Sequence, residues 1–163
     1  MSMGSSPGFS ELVLWSEPGG EGALPALAAG LAELFPALRT RVGGAAAVPP
    51  VSRAGGKIDA GWFLKEVMPR QGAGVLWVVD AELASGVHPS IAGAAAGRGA
   101  VVSRAWAGEG GVLLGVVAHE VGHLQGLAHC GGRCLMRPIH SRAAARTRPL
   151  RLCRRCRAKL AIA

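Results

Sequence analysis

The stretch HEVGHLQGLAHC, His119 to Cys130, holds three of the chain's five histidines and one of its four cysteines. His119 and His123 are four apart, so on a helix both imidazoles project from one face and can give two nitrogens to one Zn²⁺. Glu120 lies one residue along, placed to meet a zinc-activated water instead of the metal. Gly126 permits the left-handed turn that ends a helix and reverses the chain. His129, three residues later, can then return as a third ligand. Three histidines leave one tetrahedral position open, as a catalytic zinc needs and a closed structural zinc does not. A lone HExxH is a modest signal, and Gly126 and His129 at these spacings make it a specific one.

The cysteines form two short-spaced pairs, Cys130 with Cys134 and Cys153 with Cys156, eighteen residues apart. In a reduced compartment two such pairs fit a tetrahedral four-cysteine zinc site. Disulfides and a redox CxxC are the competing readings. Cys130 follows His129 directly, so a site on these thiols would pin the third histidine. The two other histidines, His88 and His140, have no partner pattern and read as ordinary loop residues.

HEVGHLQGLAH resembles the HExxHxxGxxH motif of the metzincin metallopeptidases. Its continuation, Cys130 and Cys134, Met136 in CLM, then Cys153 and Cys156 in CRRC, is similar to the archaemetzincin family of zinc metallopeptidases. The resemblance spans residues 119–156. Two spacings, Cys130 to Cys134 and Met136 to Cys153, are each one residue shorter than is usual in that family. The resemblance implies an α/β (α+β zincin-like) fold, with a mixed twisted sheet, backing and active-site helices, and a zinc-held irregular subdomain over about 130–160. It implies two zincs per chain. One, catalytic, would sit on His119, His123 and His129. The other, structural, would sit on Cys130, Cys134, Cys153 and Cys156. Met136 would be the Met-turn residue, an apolar floor under the catalytic metal.

The expected chemistry is peptide hydrolysis, aminopeptidase-like or endopeptidase-like, on a peptide or protein substrate. The metal would bring a water's pKa toward neutrality, and Glu120 would take its proton as general base and return it to the leaving amine. Some metzincins add a Tyr to steady the oxyanion. This chain has none, so zinc or a backbone N–H must serve. Two other classes stay open. A zinc-dependent endoribonuclease family has a three-histidine motif of similar spacing but lacks the Glu after the first His. A non-catalytic zinc-binding module would use both zincs structurally and dock a partner through a basic tail.

These residues need elements to position them. Residues 1–10 read as a flexible leader and 11–163 as one catalytic domain. ELVLWS from Glu11 reads as a buried strand, and LPALAAGLAELF, opened by Pro25, as a helix with Leu24, Leu27, Leu31, Leu34 and Phe35 at helical spacing. A strand and loop follow over 38–51. IDAGWFLKEVMPR reads as a helix capped by Asp59 and stopped by Pro69. VLWVVD from Val75 is the strongest strand and is expected to be central. A small-residue loop leads to AVVSRAW as another strand, either a sheet edge that takes a peptide as an added strand or a buried one. GVLLGVVAHEVGHLQG, over about 112–126, is the active-site helix, and everything after it reads as irregular.

At 163 residues and half apolar, the chain can bury one core and is not disordered in bulk. Its net charge of +8 is uneven. Residues 1–120 carry eight Lys/Arg against ten Asp/Glu, and residues 121–163 carry ten Lys/Arg and no acid. That segment reads first as a solvated basic face and second as a surface for nucleic acid or acidic peptides. The start has no basic n-region, and no apolar run reaches the roughly 18–20 residues that span a bilayer. A cytoplasmic location, with no membrane partner, is expected.

Overall fold

The structure is a computed structural model that describes residues 9–50, 53–69 and 71–162. Most of the expected leader, residues 1–8, lies outside them. Five strands form the main sheet in the order β2-β1-β5-β9-β8. They are β1 (Glu11–Ser16), β2 (Arg39–Ala45), β5 (Gly74–Val79), β8 (Gly93–Ala96) and β9 (Gly99–Ser103). The first four in that order run parallel, and β8 runs antiparallel to β9 at the edge. A smaller sheet has the order β3-β4-β6-β7, from β3 (Arg53–Ala54), β4 (Lys57–Asp59), β6 (Leu83–Ser85) and β7 (His88–Ile91).

Parallel strands covered on both faces must be apolar on both, and β5 and β9 are. Leu12, Leu14, Leu76, Val78, Ala100 and Val102 point to one face, where α1 (Leu24–Leu34) and the long α4 (Gly110–Leu124) pack. Trp77, Val79 and Val101 point to the other face, where α2 (Ala60–Glu66) lays Phe63. The Asp59 side chain accepts from the Trp62 N–H at 2.8 Å, the cap that its position predicts. The central place of β5 and the helical spacing of α1 also follow the sequence. Among the described residues, no helix is long and apolar enough to cross a membrane.

Three expectations fail. The small-residue loop after β5 holds β6, β7 and β8. AVVSRAW is strand only to Ser103, because the Ser103 hydroxyl accepts from the Trp106 N–H at 3.0 Å and caps α3 (Arg104–Ala107). The strand itself is fully buried between β5 and β8, so the sheet edge is β8. The tail is not wholly irregular either. Ser141 caps α5 (Arg142–Arg146), and α6 (Arg154–Ile162) sets Cys156 and Leu160 against the core.

Candidate active site and metal centres

Ten residues of α4 are buried, so this helix threads the core instead of lying on it, and it carries His119 and Glu120 inward. Its end is built by hydrogen bonds. Gly126, at φ 84°, donates to the His123 carbonyl at 2.9 Å, and Leu127 donates to the Gly122 carbonyl at 2.8 Å. That is a Schellman turn, which asks for glycine at its left-handed position. The turn places the Leu127 carbonyl 2.8 Å from His123 Nδ1. The Leu135 carbonyl lies 3.1 Å from His119 Nδ1. With Nδ1–H donated to a carbonyl, each ring presents a bare Nε2.

The two Nε2 atoms stand 3.2 Å apart. His129 joins them, its ring centroid 4.8 Å from that of His123 and 5.3 Å from that of His119. One nitrogen from each ring lies within 4.8 Å of the others. Tetrahedral zinc with nitrogens at about 2.0–2.1 Å sets them about 3.3–3.4 Å apart, so the three imidazoles fit such an ion. Burial, then the nearby cation Arg148 and the other imidazoles, drives the His119 pKa down to about 3 against the Leu135 hydrogen bond. Burial also lowers that of His123. Both rings are therefore neutral, as ligands must be.

Glu120 is 5 % exposed, and burial raises its pKa to about 8, with Arg148 pulling the other way. Gly93 of β8 lies against its side chain, so close that a Cβ there would stand 2.9 Å from Glu120 Cγ. His119, Glu120, His123 and His129 share a cavity of about 730 Å³ with Gly93, Ala94 and Ala95 of the sheet edge. Its far walls carry Trp106, Ile139 and Arg142. Met136 is fully buried, its sulfur packed where a Gly122 Cβ would be, three residues after His119 and next to His123 in the helix.

The four cysteine sulfurs also lie within 4.8 Å of one another. Cys130 Sγ and Cys153 Sγ are 3.8 Å apart, too far for a disulfide, which needs about 2.05 Å. Tetrahedral zinc with sulfurs at about 2.3 Å sets them about 3.8 Å apart, so this donor set fits zinc as well. A backbone hydrogen bond at Cys156, helped by the neighbouring thiols, lowers the Cys153 thiol to about 6, whereas burial raises Cys156 to about 12. Crowded thiols pulled apart in this way are what a cation would relieve. The two centres share a strip of backbone. Cys130 donates to the Met136 carbonyl at 2.9 Å, and Leu135, whose carbonyl orients His119, sits between Cys134 and Met136.

The nine residues picked from the sequence thus come together as three histidines with Glu120, four cysteines, and Met136 packed against the helix that carries His119 and His123. Others were not foreseen. His88 opens β7 instead of a loop, and both it and His140 line the main cavity. Arg148 donates from Nη1 to the Leu135 carbonyl, and the same nitrogen lies 2.8 Å from His119 Nδ1. The only sequence signal for Arg148 was its place in a basic segment without acids.

The pattern of Peptidase family M54 matches residues 112–161. The fold is similar to that of archaemetzincin from Archaeoglobus fulgidus complexed with malonate, at TM-score 0.82 and 21 % identity over 91 % of this chain and 99 % of that one. Archaemetzincin from Methanopyrus kandleri gives TM-score 0.81 and 23 % identity over 94 % of each chain. A zinc-dependent peptidase from Methanocorpusculum labreanum gives 0.76 and 18 %, over 92 % and 99 %. At these identities the likeness is one of fold. No curated protein matches the chain.

Proposed function

We propose, from the premise that residues 112–161 are those of a Peptidase family M54 zinc metallopeptidase, that His119, His123 and His129 hold the catalytic zinc and Glu120 is the general base of peptide hydrolysis. The observation that carries this is one cavity in which three imidazoles, the Glu120 carboxyl group and an open sheet edge converge. Zinc, when bound, supplies a Lewis acid that acidifies a water and polarises the scissile carbonyl. The chain's own residues do the rest. Leu135 and Leu127 carbonyls lock the ring orientations of His119 and His123. Glu120, whose apolar surroundings favour a held proton, takes a proton from the water and returns it to the leaving amine.

The substrate backbone adds alongside β8, whose outer side pairs with no strand among the described residues. The small Gly93, Ala94 and Ala95 leave room for its side chains. Met136 serves as the apolar floor. The four cysteines hold a second, structural zinc, giving two per chain, and residues 11–163 act as one catalytic domain. Free thiols at these separations favour a reducing, cytoplasmic setting.

The test pairs metal analysis with digestion of a peptide library by wild type and Glu120→Gln. Two zincs in both proteins, turnover only in wild type and inhibition by a hydroxamate are expected. Equal turnover in Glu120→Gln refutes the general base. Cleavage of RNA instead of peptides favours the ribonuclease reading, and no hydroxamate binding favours a purely structural metal.

A further inference from the structure

We propose that a second, smaller cavity behind the active site binds a tetrahedral oxyanion of the inorganic phosphate or sulfate class. The cavity holds about 170 Å³ and is lined by Arg137, His140, Thr147 and Arg148 among others. That is well above the roughly 10–15 Å³ that admits one water, so an oxyanion can enter it. It meets the active-site cavity at Pro138 and His140, which line both. The inference concerns a different cavity and does not depend on the peptidase reading.

Charge is the main argument. No carboxylate lines this cavity, and residues 121–163 contain none. Arg137 and Arg148 both line it, so two guanidinium groups face one cavity. Glu120 and the Cys134 thiol offset Arg148 electrostatically, but neither is hydrogen-bonded to it among the described residues.

Donor supply is the second argument. A guanidinium has five N–H donors, and the hydrogen bond that Arg148 donates, to the Leu135 carbonyl, uses Nη1, the nitrogen that also lies beside His119. Its Nε is buried without a partner, and Nη2 makes no hydrogen bond among the described residues. Thr147 already donates its hydroxyl to the Ala143 and Ala144 carbonyls. Recognition therefore rests on the two arginines, whose forked donors match an oxyanion. Such an ion would bridge the two guanidinium groups and hold Arg148 beside His119.

The experiment titrates the zinc-loaded full chain with inorganic phosphate at constant ionic strength, followed by calorimetry and by Tm. Wild type should show saturable binding and a saturable rise in Tm. Arg137→Gln, an exposed position, should weaken binding at least tenfold, as should Arg148→Lys. Arg155→Gln, on the exposed face of α6, should bind like wild type. Phosphate also stabilises proteins generally by exclusion from their surface. A rise in Tm that does not saturate, or that is the same in Arg137→Gln, overturns the site. An equal response to acetate overturns the choice of a tetrahedral ion. If Arg148→Lys does not fold, Arg137→Gln alone decides.

Discussion

Replacing Gly122 by Ala sets two effects of opposite sign against each other. Inside a helix, Gly→Ala ordinarily stabilises by about 1 kcal/mol, which for a chain of this size raises Tm by roughly 2–4 °C. Here the new Cβ would stand 2.3 Å from Met136 Sδ and 2.9 Å from its Cε. Ordinary contact is about 3.5–4.0 Å, so something must move by more than an ångström. Met136 is fully buried and has no solvent to retreat into. Overpacking of this kind costs about 1–3 kcal/mol, so the net change should lie between about 0 and 2 kcal/mol of destabilisation.

The displacement should also reach the metal. Met136 follows Leu135, whose carbonyl orients His119, so zinc should be lost to a chelator more readily in Gly122→Ala. Met136→Ala alone should cost about 2–5 kcal/mol. In the double variant the truncated side chain makes room for the new methyl group. The pair should therefore be less destabilised than the sum by about 1–3 kcal/mol. Denaturant unfolding of the zinc-loaded proteins measures the cycle, and competition with a chelator measures the metal. A higher Tm in Gly122→Ala, with an additive cycle, would refute the floor as argued.

Gly93→Ala should push Glu120, since its Cβ would lie 2.9 Å from Glu120 Cγ and 3.0 Å from Oε1. A fall in kcat of order tenfold to a hundredfold with zinc content unchanged is expected, and an unchanged kcat counts against the placement of Glu120. Cys153→Ser should release one zinc per chain and expose the segment after residue 130 to protease. Retention of two zincs would remove the four-cysteine assignment. In metal-free protein Glu120 has a folded pKa raised from 4.5 to about 8. Its contribution is therefore undiminished below about pH 4.5 and lost as pH rises toward 8, by up to about 1.4 kcal/mol per pH unit. His119, lowered to about 3, acts in the opposite sense, and its contribution is lost as pH falls from 6.5 toward 3. Glu120→Gln should flatten the decline between about pH 4.5 and 8 alone, and an identical pH profile would show that burial does not hold its proton.

What the sequence made legible was whatever chemistry or strong periodicity marked. The α4 helix, its end at Gly126 and all seven metal-ligand candidates were readable because each needs a particular residue type at a particular spacing. Asp59 announced α2 by its cap, and the unbroken apolar run of β5 announced the sheet's centre. The edge strand β8 was not readable, since Gly93-Ala-Ala-Ala offers no contrast between its two faces. The α5 and α6 helices are rich in arginine and poor in apolar residues, so their periodicity is faint. Arg148 and the cavity behind His119 depend on how the tail folds back, which spacing along the chain does not encode.

The strand β8 has a consequence beyond catalysis. A sheet edge with its hydrogen-bonding groups free can pair with any extended chain, including another copy of itself, and proteins commonly guard such edges with charge, proline or a bulge. This one is four residues of glycine and alanine with none of those guards in its own sequence. What limits it is brevity and its setting at the wall of a cavity, where Arg142 and the histidines stand opposite. An edge that must stay open to be used is protected by being short, and lengthening β8 with apolar residues would trade selectivity for aggregation.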